Sequence, residues 1–297
     1  MEGTTYEAAG VSLATAESVV ERLRGAVEST GAGAFGAFAG LHPLDEGRFL
    51  AASTDGVGTK LILARERGRL RDCGADLAAH CINDVLTTGA QPLFFLDYVA
   101  ANAIDLDQVA ELVDGAAAIC RAAGVALVGG ETAELPGIYR ERELDFAGTC
   151  VGIVERDRLV DGSRIQEGDV IIGFPSAGVH ANGFTLVRRI LREEDYDGDD
   201  LLAPTRLYLD EVRRLPAAHG FAHVTGGGIA GNLERILPKG LRAEIEWDGW
   251  ERPPVFGWLA RHVDEDELRR VFNLGIGYCA VVSEPTEGLV IGRIVRS

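Results

Sequence analysis

The sequence predicts a mixed α/β (α+β) fold that is divided into two domains. Segments with helical apolar spacing and short strand-like apolar segments are mixed in both halves of the chain. The length of 297 residues corresponds to about two domains. Between the halves, the stretch DGSRIQEGD (Asp161–Asp169) is polar and rich in turn-forming residues. We therefore predict an N-terminal domain over residues 1–160 and a C-terminal domain over residues 161–297.

In the first half, the apolar residues Val19, Val20, Leu23 and Val27 recur at helical intervals and predict a helix within 11–31. A glycine-rich stop, TGAGAFGAF, follows this helix. The other elements predicted in this half are a strand at Arg48–Thr54, a helix at Asp76–Thr88, a strand in PLFFLDYVA, a helix at Asp105–Ala123 and strands in VALVGG and FAGTCVGIVE.

The second half shows the same mixture of strands and helices. Asn182 is predicted to cap the helix that follows it, because asparagine is favoured at that position. The predicted elements are strand VIIGFP, helix Asn182–Leu191, helix Pro204–Leu215, the glycine-rich turn and helix TGGGIAGNLERIL, and strands AEIEW, IGYCAVV and LVIGRIV.

Composition excludes some classes of function. The formal charge is −17 and no basic cluster occurs, which argues against nucleic-acid binding because phosphate contacts need a basic patch. The five cysteines are widely spaced without a Cys-x-x-Cys pair, which is typical of core thiols in a reducing cytoplasm. No run approaches the roughly 18 apolar residues of a membrane span, and the N-terminus lacks the features of a signal peptide. We expect a cytoplasmic protein with no membrane contact.

The segment STDGVGTKL combines an acid, two glycines and a lysine directly after a predicted strand. It is not a Walker A loop, because Thr59 precedes Lys60. Glycines such as Gly56 and Gly58 allow backbone N–H groups to approach phosphate oxygens, and lysine is a point charge for phosphate. Asp55 is a candidate ligand for a divalent metal. The alternative is a tight turn with a surface lysine.

Two further segments supply carboxylates near predicted strands. CINDVLTTGAQPLFFLDY places Asp84 in an apolar helix and Asp97 inside an apolar strand, where a carboxylate is costly unless it is paired or bound to metal. LVGGETAELPG ends a buried strand in two glycines and then presents Glu131. Together these acids resemble a Mg²⁺–nucleotide site, since Mg²⁺ takes oxygen ligands and substrate phosphates. The alternative is a set of separate, solvated acids.

The second half contains two glycine-flanked polar loops. SAGVHANGF places His180 and Asn182 directly before a predicted helix, whose N-terminus is suited to an anion. HVTGGGIAG places Thr225 and Gly226–Gly228 before another helix, which predicts a second backbone site for phosphate. Each signal is weak alone, and an isolated histidine is more often structural.

In this order, the segments resemble the phosphoribosylformylglycinamidine cyclo-ligase (AIR synthetase) family. The resemblance covers nearly the whole chain, and its matching stretches are YEAAGV, GAFGAF, STDGVGTKL, CINDVLTTGAQPLFFLDYVA, LVGGETAELPGIY, FAGTCVGIVE, GFPSAGVHANGFTLVRRIL, LLAPTRLY, HVTGGGIAGNLERILP and FNLGIGYCAVV. It implies two α/β domains, and a homodimer in which the N-terminal sheets of two subunits join into a barrel. It also implies ATP and Mg²⁺ as cofactors.

The resemblance further implies a reaction. ATP would phosphorylate the formyl oxygen of formylglycinamidine ribonucleotide, after which an amidine nitrogen closes an imidazole ring and phosphate leaves. By motif position, the metal residues would be Asp55, Asp84, Asp97 and Glu131, and the catalytic residues Lys60, His180 and Asp84. The nucleotide-binding residues would be Asp55, Gly56, Gly58, Thr59, Lys60, Asp84, Asp97, Glu131, Asn182, Thr225, Gly226, Gly227 and Gly228.

Three alternatives remain. Selenophosphate synthetase is disfavoured because its glycine-rich N-terminal segment should carry a reactive cysteine or selenocysteine, and GAGAFGAF has none. Thiamine-monophosphate kinase resembles the first domain, but VHANGF and TAELPGIY fit the cyclo-ligase better. A non-catalytic nucleotide-binding paralogue is suggested by the short C-terminal stretch SEPTEGLVIGRIVRS, where the family usually has a helix and a further tail.

Overall fold

Two five-stranded sheets, one in each half of the chain, organise the fold. The computed structural model describes residues 5–31 and 36–297. Part of the glycine-rich stretch TGAGAFGAF, residues 32–35, lies outside this range. The mixed α/β class predicted from the sequence is confirmed.

The first sheet has the strand order β1-β2-β5-β3-β4. Its neighbours are antiparallel except β3 and β4, which are parallel because helix α4 crosses between them. The elements of this half are α1 (Leu13–Glu28), β1 (Gly40–Pro43), β2 (Arg48–Gly56), α2 (Lys60–Glu66), α3 (Leu70–Leu86), β3 (Gln91–Ala101), α4 (Leu106–Ala123), β4 (Ala126–Glu134) and β5 (Leu144–Glu155).

The second sheet is antiparallel throughout, with the order β7-β9-β6-β10-β8. The last strand, β10, pairs with both β6 and β8, so the short C-terminal stretch completes the sheet. The elements are β6 (Val170–Pro175), α5 (Phe184–Ile190), α6 (Leu209–Arg214), β7 (Gly220–His223), α7 (Gly228–Glu234), β8 (Leu241–Ile245), α8 (Pro254–Leu259), α9 (Glu265–Val271), β9 (Ile276–Val282) and β10 (Leu289–Arg296), with 3₁₀ turns at Arg156–Arg158 and Asp199–Leu201.

Helices α3 and α4 cover one face of the first sheet, and no other described helix packs extensively on its strands. On β2, Ala51 and Ser53 point toward α3 and are buried, whereas Leu96 and Tyr98 of β3 lie on the other face and are each 38% exposed. Helices α3 and α4 approach closely at Gly74 and Gly115, where a Cβ would collide with the facing backbone. The other face of the sheet, which carries Leu96 and Tyr98, is therefore open.

Helix α3 lies between the two halves, and nearly all of its residues are buried. The Asn83 side chain accepts a hydrogen bond from the Tyr208 backbone N–H at 3.0 Å and donates one to Arg206 O at 2.8 Å. Asn83 O also accepts a hydrogen bond from the Tyr278 hydroxyl. These contacts join the first half to the second along one helix.

Element boundaries match the sequence best where capping signals are strong. Helix α4 begins after Asp105, whose carboxylate accepts hydrogen bonds from Asp107 N and Gln108 N, and it ends at Gly124 in a left-handed conformation. The predicted helix Pro204–Leu215 is wrong at its start, because α6 covers only Leu209–Arg214. Thr205 and Arg206 instead bond to side chains of α3.

The prediction that Asn182 caps a helix is also wrong. Helix α5 begins at Phe184, and its N-cap is Gly183 in a left-handed conformation without a side-chain cap. Among the helices of the described residues, none combines the length and apolar character needed to cross a bilayer.

Candidate functional site

Four polar side chains from both halves form a cluster, which we call the His–Asp cluster: Asp55, His80, Asp84 and His223. His80, Asp84 and His223 are buried, whereas the Asp55 side chain is 41% exposed. His80 and Asp84 lie one turn apart on α3, Asp55 lies near the end of β2, and His223 ends β7. His80 Nε2 is 2.9 Å from Asp55 Oδ2, and His223 Nδ1 is 2.8 Å from Asp84 Oδ1. The two imidazole rings meet edge to face, with centroids 4.7 Å apart.

The charges of this cluster are set by burial and by the paired carboxylates. Burial acts to lower the pKa of His80, but the Asp55 carboxylate outweighs it and raises that pKa to about 9. Against the opposing effect of burial, His80 lowers the pKa of Asp55. Burial lowers the pKa of His223, and its hydrogen bond to Asp84 opposes this only in part. Near neutral pH His80 is therefore cationic and His223 neutral.

The Asp84 carboxylate is held by two hydrogen bonds. Its Oδ2 accepts from the Ser53 hydroxyl at 2.9 Å, and its Oδ1 faces His223 Nδ1. Because Asp84 is the acceptor, a neutral His223 carries its proton on Nδ1 and keeps a lone pair on Nε2. Among the described residues, that nitrogen makes no hydrogen bond.

Arg235, directly after α7, supplies positive charge beside this cluster. Its guanidinium lies over the Phe38 ring, with Cζ 3.8 Å from the ring centroid. Burial lowers the pKa of Arg235, while the Asp84 and Asp55 carboxylates act to raise it. Its hydrogen bonds are long, 3.4 Å to Asn232 Oδ1 and 3.5 Å to Gly36 O. Arg235 is an exposed residue that forms no ion pair among the described residues, and it interacts with the two acids only through longer-range electrostatics.

A cavity of about 260 Å³ lies beside the His–Asp cluster and brings the first glycine loop against the second half. Thr59 Oγ1 is 2.9 Å from Thr185 Oγ1 across it. Its lining includes these predicted residues together with His80: Asp55, Gly56, Gly58, Thr59 and Asn182. A larger cavity of about 760 Å³, lined by Arg65, Asn102 and Arg142 among others, contains none of the predicted site residues.

The second glycine loop is braced by Asn232. The Asn232 side-chain amide donates to Gly228 O at 2.8 Å and to Thr225 O at 3.2 Å. Gly228 has a φ of +64°, and a Cβ there would collide with Arg269 O, so the loop requires glycine. At Gly226, a Cβ would lie 3.7 Å from Asn182 Oδ1, which places this loop next to Asn182.

The structure separates Asp97 and Glu131. Asp97 and Asp55 both pair with Gly148 in the first sheet and share its helix-covered face, at roughly 10 Å from strand to strand. Glu131 is paired with Tyr98, so it lies on the open face of the sheet. Within one chain, Glu131 therefore does not share an ion with Asp55 and Asp84.

Lys60 lies outside the cavity and is fully buried. Its ammonium is 2.6 Å from Asp76 Oδ2 and donates hydrogen bonds to His180 O at 2.7 Å and Ala203 O at 3.1 Å. Thr205 donates two further hydrogen bonds to Asp76 Oδ1. All three ammonium protons have acceptors within the protein, so this conformation leaves none for the predicted phosphate contact.

His180 is also buried, with a positive φ of 63°. Its Nε2 accepts a hydrogen bond from Ala177 N at 3.1 Å, and Arg206 N lies 3.5 Å away. Burial lowers the pKa of His180 well below its ordinary value, so the ring is neutral and carries its proton on Nδ1. No lone pair is left for a substrate proton, and the geometry argues against the predicted general base.

The sequence interpretation did not identify His80, His223 or Arg235. His80 stands four residues before Asp84, a spacing that places two side chains on one helix face. His223 directly precedes the Val-Thr-Gly-Gly-Gly loop. The spacing of His80 and Asp84 and the position of His223 before the glycine loop were the sequence features that could have indicated these two histidines.

Two family models match the chain. AIR synthase related protein, N-terminal domain, matches residues 36–154, and AIR synthase related protein, C-terminal domain, matches residues 166–290. Both glycine loops and all four residues of the His–Asp cluster lie within these matches.

Curated relatives match almost end to end. The chain is 48% identical to a phosphoribosylformylglycinamidine cyclo-ligase of Synechococcus sp. strain CC9605, over 96% of this chain and 90% of the relative. It is 44% identical to the protein of that name from Sorangium cellulosum, over 99% of this chain and 92% of the relative.

Solved structures share the fold at lower identity. AaThiL complexed with AMPPCP and TMP has a TM-score of 0.68 at 15% identity, covering 93% of this chain and 90% of that chain. T. maritima PurL complexed with ADP has a TM-score of 0.60 at 20% identity, covering 90% of this chain and 43% of that chain. At these identities the likeness shows the fold alone.

Proposed function

This chain belongs to the phosphoribosylformylglycinamidine cyclo-ligase family, and we propose that its cleft performs the reaction of that family. It is a ligase that closes the imidazole ring of 5-aminoimidazole ribonucleotide from formylglycinamidine ribonucleotide with ATP. The observation that carries the proposal is the meeting of the two halves, where Asp84 of α3 contacts His223 of β7 and the first glycine loop lines a cavity with His80 and Asn182.

We propose that ATP lies across this cleft. Structural neighbours with this fold carry ATP, ADP or AMPPCP in their crystals, which supports a nucleotide here. Gly56, Gly58 and Thr59 border the cavity from the first half, and Asn182 borders it from the second. The Thr225–Gly228 loop lies next to Asn182 and offers backbone N–H groups to phosphate oxygens.

We propose Asp55 and Asp84 as the residues that would hold Mg²⁺ with the triphosphate. Asp55 lines the cavity together with His80, and Asp84 lies one helical turn from His80 on the same face of α3. Asp97 is on the same sheet face but two strands away, and Glu131 is on the opposite face. The donor set for Mg²⁺ within one chain is therefore smaller than the four acids predicted from the sequence. When bound, the ion neutralises charge on the transferred phosphoryl group.

The residues of this chain bind and orient the reactants. Phosphoryl transfer mainly asks a protein for positioning and charge stabilisation, so no strong base is required for that step. We propose that Arg235 contributes positive charge toward the phosphoryl group, because the acids of the His–Asp cluster act on it electrostatically and its hydrogen bonds are long. Lys60 and Asp76 hold the His180 loop and α3 together, a positioning role.

We propose that two chains form a homodimer through the open face of the first sheet. Leu96 and Tyr98 on β3 and Val128 on β4 are exposed apolar residues beside the face that α3 and α4 leave uncovered. Exposed apolar residues grouped on one sheet face favour an interaction surface, and two such sheets joined together would form a barrel. The domain boundary near residue 160 and the cytoplasmic location stay predictions.

Turnover by the purified chain tests the proposed function. The chain is incubated with Mg²⁺, ATP and formylglycinamidine ribonucleotide, and both ADP and 5-aminoimidazole ribonucleotide are measured. We expect equal amounts of the two products, with no ADP when formylglycinamidine ribonucleotide is omitted. ATP binding without substrate-dependent ADP release would indicate a non-catalytic nucleotide-binding protein.

A further inference from the structure

The His–Asp cluster contains nitrogen ligands that a magnesium–nucleotide site does not need. One nitrogen each from His80 and His223 and one carboxylate oxygen of Asp84 lie within 4.8 Å of one another. All three residues are buried, and they come from two elements, α3 and β7. The packing of the two halves therefore holds three potential metal-binding side chains close together in the protein without any bound ion or nucleotide.

The chemistry of the three ligands favours a first-row transition metal. Imidazole nitrogens bind Zn²⁺, Co²⁺, Ni²⁺ or Cu²⁺ well, whereas Mg²⁺ prefers carboxylate, carbonyl and water oxygens. Two histidines and one carboxylate are a donor set of known zinc sites that leave one position open. The cavity that borders His80 and Asp55 provides space for a water or substrate atom at that position.

The surrounding side chains are arranged as supports for such ligands. Asp55 Oδ2 contacts His80 Nε2 at 2.9 Å, and the Ser53 hydroxyl donates to Asp84 Oδ2 at 2.9 Å. A carboxylate that bonds a metal-binding histidine orients the ring and raises its basicity. A divalent ion bound at the three ligands would replace the proton that His80 carries near neutral pH, and the Asp55 and Asp84 carboxylates would balance the charge of the ion.

We propose that His80, Asp84 and His223 bind one first-row transition-metal ion, such as Zn²⁺ or Co²⁺, in the nucleotide-free protein. Asp55 orients His80 from outside the ion. The inference concerns the same cleft as the proposed function, but it does not require turnover. It predicts that the cleft prefers a nitrogen-binding ion over Mg²⁺ until a nucleotide is present.

Cobalt titration of the full chain tests the proposal. Metal and nucleotide are removed by dialysis against a chelator, and Co²⁺ is then added while the visible absorption is recorded. We expect one Co²⁺ per chain at the cluster, with a spectrum typical of nitrogen and oxygen ligands, and no displacement by an equal concentration of Mg²⁺. His80→Gln and His223→Gln should each abolish this signal.

His219→Gln is the matched control, because His219 pairs with Asp169 at 2.7 Å but belongs to no described cluster of three ligands. It should keep the cobalt signal. Circular dichroism checks that each variant is folded. If His80→Gln fails to fold, Asp55→Asn carries the test, with an expected loss of affinity of about 10- to 100-fold.

Absence of stoichiometric Co²⁺ binding by the wild-type chain would overturn the proposal. The proposal would also be overturned if His219→Gln lost Co²⁺ binding to the same extent as the cluster variants. Unchanged Co²⁺ affinity in folded His80→Gln or Asp55→Asn would overturn it as well. The turnover assay with Mg²⁺ is run separately on the wild-type chain. Cobalt binding without ring closure would support this inference and reject the proposed function. Ring closure without cobalt binding would support the proposed function and reject this inference.

Discussion

Asp84 Oδ1 and His223 Nδ1 lie 2.8 Å apart, and this contact joins helix α3 of the first half to strand β7 of the second. The Ser53 hydroxyl holds the other oxygen of the same carboxylate. Two segments that are far apart in the sequence thus meet at one buried acid. The proposed nucleotide site is built around this meeting point.

Replacement of Asp84 should remove activity. Asp84→Asn keeps the size of the side chain but removes the charge that would face Mg²⁺, so we expect Mg²⁺-dependent turnover to fall by about 100-fold or more. The measurement is ADP release that depends on formylglycinamidine ribonucleotide. Asp157→Asn, on an exposed 3₁₀ turn, is the control and should be active. Normal turnover in Asp84→Asn would reject the metal assignment.

Loss of Lys60 should act mainly on stability. Lys60→Met leaves Asp76 as a buried carboxylate without its cation, which costs about 3–5 kcal/mol of unfolding free energy. Urea unfolding of the variant measures this cost. Lys239→Met changes an exposed lysine and should alter stability little. If both variants unfold at the same urea concentration as the wild type, the buried ion pair is not a positioning contact.

Arg235 should matter for turnover more than for folding. Arg235→Gln removes the positive charge beside Asp84 and Asp55, and we expect a loss of about 100-fold in kcat. Arg242, an exposed arginine on β8, provides the control variant Arg242→Gln. Steady-state kinetics of the two variants separate kcat from KM. A similar kcat in both would show that Arg235 does not act on the phosphoryl group.

We expect the open face of the first sheet to form the dimer interface. Tyr98→Glu places a charge in the middle of that face, and we expect the variant to run as a monomer in light scattering after size-exclusion chromatography. Leu106→Glu alters a residue that is 81% exposed on α4, away from this face, and should remain dimeric. A wild-type monomer at micromolar concentration, or a dimeric Tyr98→Glu, would contradict the proposed interface.

The cysteines should resist thiol reagents in the folded protein. All five are buried, and burial raises the pKa of Cys120 to about 11 and that of Cys150 to about 12. A raised thiol pKa means little reactive thiolate at pH 8. We expect almost no reaction with Ellman's reagent before unfolding and five thiols after it. Rapid reaction of the native protein would show that the core opens.

The sequence indicated the first glycine loop and Asp55 as one group because they form a local pattern, whereas the grouping of Asp97 and Glu131 with them depended on the sheet. Asp55 and Gly56 end strand β2, Gly58 and Thr59 follow it, and the structure places them together at the cavity with Asn182. Capping residues such as Asp105 also act within a few residues of their position. Features of this kind depend on residues close together in the sequence and could therefore be predicted from it.

The partners of buried charges could not be predicted in the same way. Lys60 pairs with Asp76, and its other contacts, His180 O and Ala203 O, come from the second half of the chain. Short sequence patterns do not show which residues of the second half will contact a given residue of the first half. The same limit hid His80 and His223, since neither is notable until α3 and β7 meet.

The position of Glu131 depends on a single irregularity in the sheet. Strand pairing shifts between Phe95 and Leu96, where β4 advances from Leu127 to Gly129 and leaves Val128 as an extra residue. Side chains alternate along a strand, so one extra residue moves those that follow to the other face. The bulge therefore places Glu131 away from Asp97 and the His–Asp cluster.

Isotope tracing tests the central claim most directly. Formylglycinamidine ribonucleotide labelled with ¹⁸O at the formyl oxygen is converted with ATP and Mg²⁺, and the released phosphate is analysed by mass spectrometry. Phosphorylation of that oxygen in the cleft predicts that the label appears in phosphate, in an amount equal to the 5-aminoimidazole ribonucleotide formed. Label found in water instead, or ring closure without ATP consumption, would contradict the account.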